Sequence, residues 1–288
     1  MLAFVAAAGV VGSLLLFMSE TDQFSLEYED YNRRLEATPS TNVTKDSADA
    51  SSAATTGPNI IYIQHESLSG SMMLNTEAGA KAMPFFQDRM HNDPDMYVYE
   101  HTRTGSGNTI DALPALMTGC LPYNGEGVKY THAIGQSIGY DFHNLGYRTA
   151  SFSSRALDET IVSGRWKMLH DVLVGGMEQV YDLVSQKWPR DNAEGSDDRR
   201  MLPLFEDWIN ESMSESESSA PFYAQFYNFN IHYPYMKKGG PPTAQKYFSG
   251  LSTMDEFLKR LFEILEKTDQ LKNTIIIGSG DHGDVPLE

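Results

Sequence analysis

Glu66, Thr109, Asp281 and His282 supply two carboxylates, a hydroxyl and an imidazole, a donor set that one divalent cation could share. These donors admit Mn, Zn, Mg or Ca. A bound cation would lower the pKa of the Thr109 hydroxyl, aim its oxygen for attack and neutralise charge on an anionic ester. His232, within Asn230-Ile231-His232-Tyr233-Pro234-Tyr235, could hydrogen-bond a phosphoryl or sulfuryl oxygen or protonate a leaving group. Each residue also has a plainer reading. Thr109 could be a helix N-cap, Glu66 a locally hydrogen-bonded carboxylate, Asp281 the start of a turn beside a surface histidine, and His232 a packing residue in an aromatic loop.

The spacing of apolar residues indicates what would position these groups. Asn59 to Gln64, Tyr147 to Phe152, Phe222 to Phe229 and Asn273 to Ile277 are short apolar runs that end in polar residues, as strands do. Helical periodicity separates them at Met83 to Met90, Thr109 to Met117, His132 to Leu145, Met201 to Ile209 and Thr253 to Leu265. This alternation predicts an α/β fold, with a mostly parallel central sheet flanked by helices and the polar residues gathered along one sheet edge. Glu66 then follows the first strand, and Asp281-His282-Gly283 follows the last. His65 is expected to face away from Glu66, because side chains alternate along an extended chain. In Thr102 to Gly119 a Gly-, Ser- and Asn-rich loop leads into an apolar helix, which would hold the Thr109 hydroxyl close to helix-end N–H groups that favour an anion. Asp191 to Arg200, Asn210 to Ser219 and Tyr235 to Pro242 read as loops.

The net charge is -17, from 39 acidic and 22 basic residues, so nucleic acid is not expected as a partner. Cys120 is the one cysteine, which excludes an intrachain disulfide and a thiolate cluster, and it reads as a buried small hydrophobe. Leu2 to Met18 carries no charge and is almost wholly apolar. Residues 1–19 are therefore expected to be a transmembrane or signal-anchor segment, with a cleaved signal peptide or a buried helix as alternatives. Residues 20–57 read as a juxtamembrane segment and flexible linker, and 58–288 as the catalytic domain. Asn42-Val43-Thr44 and Asn210-Glu211-Ser212 fit the glycosylation acceptor pattern, as a glycoprotein domain held outside the cytoplasm would.

Taken in order, strand–Glu66, the Gly-rich loop to Thr109, Thr118-Gly119, Leu145-Gly146-Tyr147-Arg148-Thr149-Ala150, the His232 segment and Asp281-His282-Gly283 resemble the sulfatase branch of the alkaline phosphatase superfamily. The family's nucleophile lies nine residues before the Thr of its Thr-Gly pair, and that count leads from Thr118 to Thr109. Sulfatases carry a modifiable Cys or Ser there, followed by x-Pro-x-Arg, whereas Thr109 is followed by Ile110, Asp111, Ala112 and Leu113. A threonine nucleophile and the single Glu66 are more similar to lipoteichoic acid synthases and phosphoethanolamine transferases. That resemblance implies a metal-dependent hydrolase or transferase working through phospho-Thr109. Its metal ligands would be Glu66, Thr109, Asp281 and His282, and His232 would face an anionic ester, lipid-linked esters included. It also implies a membrane-anchored domain, extracellular or in the secretory-pathway lumen, and at least one more strand beyond Glu288. The domain is therefore expected to be truncated at its C-terminus. An atypical sulfatase and a catalytically silent binding scaffold are the alternatives. Arg155, Arg165, Trp166 and His170 could hold a phosphate or head group, or form surface salt bridges.

Overall fold

The computed structural model describes residues 3–7, 57–99, 102, 104, 107–119, 137–155, 157, 166–184, 186–189, 195–214, 220–233, 235 and 243–283. In chain order the strands are β1 (Ala3–Ala7), β2 (Asn59–His65), β3 (Met96–Tyr99), β4 (Arg148–Ser153), β5 (Gln179–Asp182), β6 (Phe222–Asn228) and β7 (Thr274–Gly280). The helices are α1 (Gly70–Leu74), α2 (Glu77–Ala82), α3 (Pro84–Asn92), α4 (Thr109–Thr118), α5 (Ile138–Asn144), α6 (Trp166–Val174), α7 (Met201–Ser214) and α8 (Ala244–Lys267). The strands form one sheet in the order β3-β1-β7-β2-β6-β4-β5, in which β7, β2, β6, β4 and β5 run parallel and β1 runs antiparallel to both its neighbours.

Helices cover both faces, because the central strands are apolar on both sides. Ile61 and Ile63 of β2 and Phe222, Ala224 and Phe226 of β6 join the main core with α3, α7 and α8. On the other face Tyr227 packs with Leu113 and Met117 of α4 and with Val172 and Leu173 of α6, while Phe142 of α5 stacks on Tyr223 at 4.4 Å. The buried positions of α8, including Tyr247, Leu251, Met254, Leu258, Leu261 and Leu265, recur at three- and four-residue spacing, and the Thr243 side chain caps its first turn. Gly250 lets this helix approach the chain after β6, since a Cβ there would sit 2.6 Å from the Ile231 side chain.

Several expectations are corrected. The apolar N-terminal run supplies β1, hydrogen-bonded between β3 and β7, and among the described residues no helix is long and apolar enough to cross a membrane. An uncharged apolar run suits a strand inside a sheet as well as a membrane helix, and here two neighbouring strands pair with residues 3–7, while residues 8–18 lie outside the described residues. The expected loop at 210–219 begins as helix, since α7 continues to Ser214, and Asn210 is exposed on it. Asp198, in the expected loop before α7, is 1% exposed, because its carboxylate is enclosed by backbone donors. The expected linker before residue 57, Asn42, Cys120, Arg165, the first part of the His132 to Leu145 helix and residues 236–242 lie outside the described residues.

Candidate active site

The C-terminal ends of β2, β6 and β7 lie side by side: His65 is in register with Asn228 on one side and with Gly280 on the other. That register brings Glu66 and Asp281 together one step beyond the strands. The Glu66 N–H donates to the Asn228 carbonyl at 3.0 Å and the Asp281 N–H to the His65 carbonyl at 3.2 Å, so backbone bonds fix both acids. Gly280 allows the close approach, as a Cβ there would lie 3.0 Å from both the Leu68 Cβ and the Leu68 carbonyl oxygen. Ser67 turns the chain away with φ +58°, and its N–H donates to Asp281 Oδ1 at 2.9 Å.

Thr109 is the first residue of α4. Asn108 is the N-cap: its side chain accepts the Asp111 N–H at 3.1 Å and donates to the Asp111 carboxylate at 3.0 Å. The Thr109 hydroxyl is thereby released from capping and turned toward the acids. It donates to Glu66 Oε1 at 2.7 Å and lies 3.1 Å from His282 Nε2. His282 Nε2 is 3.2 Å from Glu66 Oε1 and 3.7 Å from Asp281 Oδ2, and the ligand atoms of these three residues all lie within 4.8 Å of one another.

The electrostatics of the cluster suit a cation. Burial resists charge on Glu66, yet hydrogen bonds from His282, Tyr227 and Thr109 and the nearby charge of His232 hold its carboxyl below the usual range. Burial and the Glu66 charge push Asp281 up. Burial opposes charge on His282, but the Glu66 hydrogen bond and both carboxylate charges outweigh it and raise the imidazole. The cluster therefore retains a proton that a dication would replace. Asp281 Oδ2 is buried with no hydrogen-bond partner while Oδ1 accepts the Ser67 and His282 N–H groups, which leaves one oxygen suited to an ion. The donor set fits a divalent cation.

Three of the supporting residues have no signature in the sequence. The Tyr227 hydroxyl donates to Glu66 Oε2 at 2.6 Å, the Ser67 hydroxyl to Glu66 Oε1 at 3.2 Å, and the Thr104 hydroxyl to the Asp281 carbonyl. Tyr227 is the penultimate residue of a strand rich in buried aromatics, so its type and spacing predict packing alone. His232 lies in the turn after β6, its N–H donating to the Phe229 carbonyl at 3.1 Å and its ring stacked on Phe229 at 4.2 Å. The Arg155 guanidinium lies 5.0 Å from the same Phe229 ring. His170 is 3.4 Å from the Asp171 carboxylate on α6, and for Trp166 the backbone alone is described.

Known proteins share this architecture. A Bacillus subtilis lipoteichoic acid synthase 2 is 25% identical over 243 residues, covering 78% of this chain and 35% of that protein. The chain thus spans about a third of the length of that curated relative. A Vibrio parahaemolyticus protein in the alkaline phosphatase superfamily superposes with a TM-score of 0.61 at 17% identity, over 80% of this chain and 56% of that one. The C-terminal periplasmic domain of EcEptC from Escherichia coli does so with a TM-score of 0.53 at 15% identity, over 80% and 65%. The sulfatase family model matches residues 58–288, which contain the site residues and the parallel part of the sheet, and the chain belongs to the sulfatase family.

Proposed function

We propose that this chain transfers or hydrolyses an anionic phosphoester through a covalent intermediate on Thr109. The observation that carries this reading is the buried Thr109 hydroxyl at the first position of α4, in hydrogen-bond contact with both Glu66 and His282. A cation held by Glu66, Thr109, Asp281 and His282 would ease deprotonation of that hydroxyl and neutralise charge on the phosphoryl oxygens. The α4 N-terminus adds N–H groups and a positive dipole end beside the same oxygens. Thr109 Oγ1, its proton given up to solvent when the cation binds, bonds to phosphorus as the bond to the leaving alkoxide breaks, and protonated His232 gives the alkoxide a proton. In the second step His232 takes a proton from water or an acceptor hydroxyl, whose oxygen displaces Thr109. Threonine in place of a modifiable Cys or Ser favours phosphoesters over sulfate esters. Similarity to a lipoteichoic acid synthase supports a lipid-linked substrate, and similarity to a periplasmic domain supports action outside the cytoplasm.

Intact mass spectrometry tests this. The chain, supplied with Mn²⁺ and a soluble phosphodiester, is expected to gain a phosphoryl-containing adduct that Thr109→Ala lacks, and to leave an aryl sulfate uncleaved. Turnover without an adduct on Thr109 would sink the covalent reading, and cleavage of the sulfate alone would reverse the substrate class.

A further inference from the structure

Asp198 sits just before α7, far from β6 in sequence and outside every motif identified above. It is 1% exposed, and three donors among the described residues reach its carboxylate. The Phe229 N–H donates to Oδ1 at 2.8 Å, the Asn230 N–H to Oδ2 at 3.1 Å, and the Ser154 hydroxyl to Oδ1 at 2.5 Å. Its own N–H donates to Asn230 Oδ1 at 3.2 Å, which closes the clamp from the other side. Two consecutive peptide N–H groups aimed at one carboxylate form an anion-holding nest, and charge-assisted bonds of this kind are the strong ones.

The clamped amides are those between the end of β6 and the turn that carries His232. Phe229, gripped through its N–H, presents its carbonyl to the His232 N–H and its ring to the imidazole. Ser154 also links the carboxylate to the β6 backbone, since both its N–H and its hydroxyl reach the Tyr227 carbonyl at 3.4 Å.

We infer that Asp198 is a positioning residue for His232: its carboxylate fixes the Phe229 and Asn230 peptides and, through the Phe229 ring and carbonyl, the orientation of the imidazole. This inference rests on the reading of His232 as the substrate-side proton donor. Asp198 touches no substrate atom and acts entirely through residues 229 and 230. Asn at this position keeps the shape but offers one acceptor oxygen where three donors converge.

The test is a double-mutant cycle on the full chain with Mn²⁺ and a soluble phosphodiester, using Asp198→Asn, His232→Ala and the pair. Asp198→Asn is expected to lower kcat by about 10- to 100-fold with KM nearly unchanged, and to cost less than about 3-fold in the His232→Ala background. Equal losses in both backgrounds would overturn the inference. A second readout is independent of turnover: the His232 ring proton resonances, shifted upfield by the Phe229 stack, are expected to move toward solvent values in Asp198→Asn, and an unmoved resonance would overturn it. If the wild-type chain shows no turnover, the proposed reaction fails, and the resonance still decides the positioning. If Asp198→Asn does not fold, Ser154→Ala keeps the carboxylate and is expected to show the same shift and a loss of about 3-fold; no change in either would overturn the inference.

Discussion

The two corners of the site are built differently. At the ends of β2 and β7 the residues that would hold an ion are the motif residues themselves, placed by sheet register and the first turn of α4. At the end of β6, His232 is held through its backbone and neighbouring ring by a carboxylate from a distant segment. Residue type and spacing can find the first kind of group. They miss the second, because a carboxylate that organises peptide N–H groups looks in sequence like any other acid in a charged run.

Substitutions at the first corner should remove the ion and the nucleophile, and those at the second should slow the reaction with the ion in place. The largest effect is expected for Thr109→Ala, a loss of about 10⁴-fold or more in turnover read by phosphodiester cleavage. Next, Asp281→Asn should weaken Mn²⁺ binding by more than about 100-fold in calorimetry, whereas His232→Ala should leave it within about 3-fold. A His232 variant that also lost the ion would merge the two corners into one. Tyr227→Phe removes the donor to Glu66 Oε2 and should cost about 10- to 100-fold in metal affinity; unchanged affinity would restrict Tyr227 to packing.

The smallest effect concerns pH. Burial pushes the Asp198 carboxyl up to about 7, opposed by the Phe229 and Asn230 N–H groups and the Ser154 hydroxyl and reinforced by the Asp197 charge. A carboxyl whose folded pKa lies above its unfolded value contributes stability below the unfolded value, near 3.8, and loses it as pH rises through about 7. Denaturant titrations should therefore show the wild-type chain losing stability relative to Asp198→Asn between these pH values, by at most about 1.4 kcal/mol per pH unit. A pH-independent difference would place the titration elsewhere.

The parallel strands nearest the site were legible because they are buried on both faces and read as short, mostly apolar runs. The edges were not: β3 and β5 have four residues each, and Tyr97 and Val180 are exposed, so no apolar pattern marks them. Helix α8 begins at Ala244, ahead of the expected Thr253, because its first turns bury Tyr247 and Gly250 against loops that the sequence does not locate. The β1 run was misread because apolar composition alone does not tell a strand from a membrane helix. Glu66, Thr109, Asp281 and His282 were found by type and order and do converge, whereas Tyr227 and Ser67 act through positions that only the folded register defines.

Buried Tyr247 of α8 reaches the segment after Glu66 from the main-core face: its hydroxyl accepts the Ser69 N–H at 2.8 Å and donates to the Ser67 carbonyl at 3.2 Å. In hydrogen exchange this loop should then behave like part of the sheet. The Ser69 amide would give up its proton only when α8 separates from the strands, on the slow timescale of global opening rather than that of local fluctuation. A reacting ester would meet dipoles already in place, and none of the barrier would be spent on ordering them.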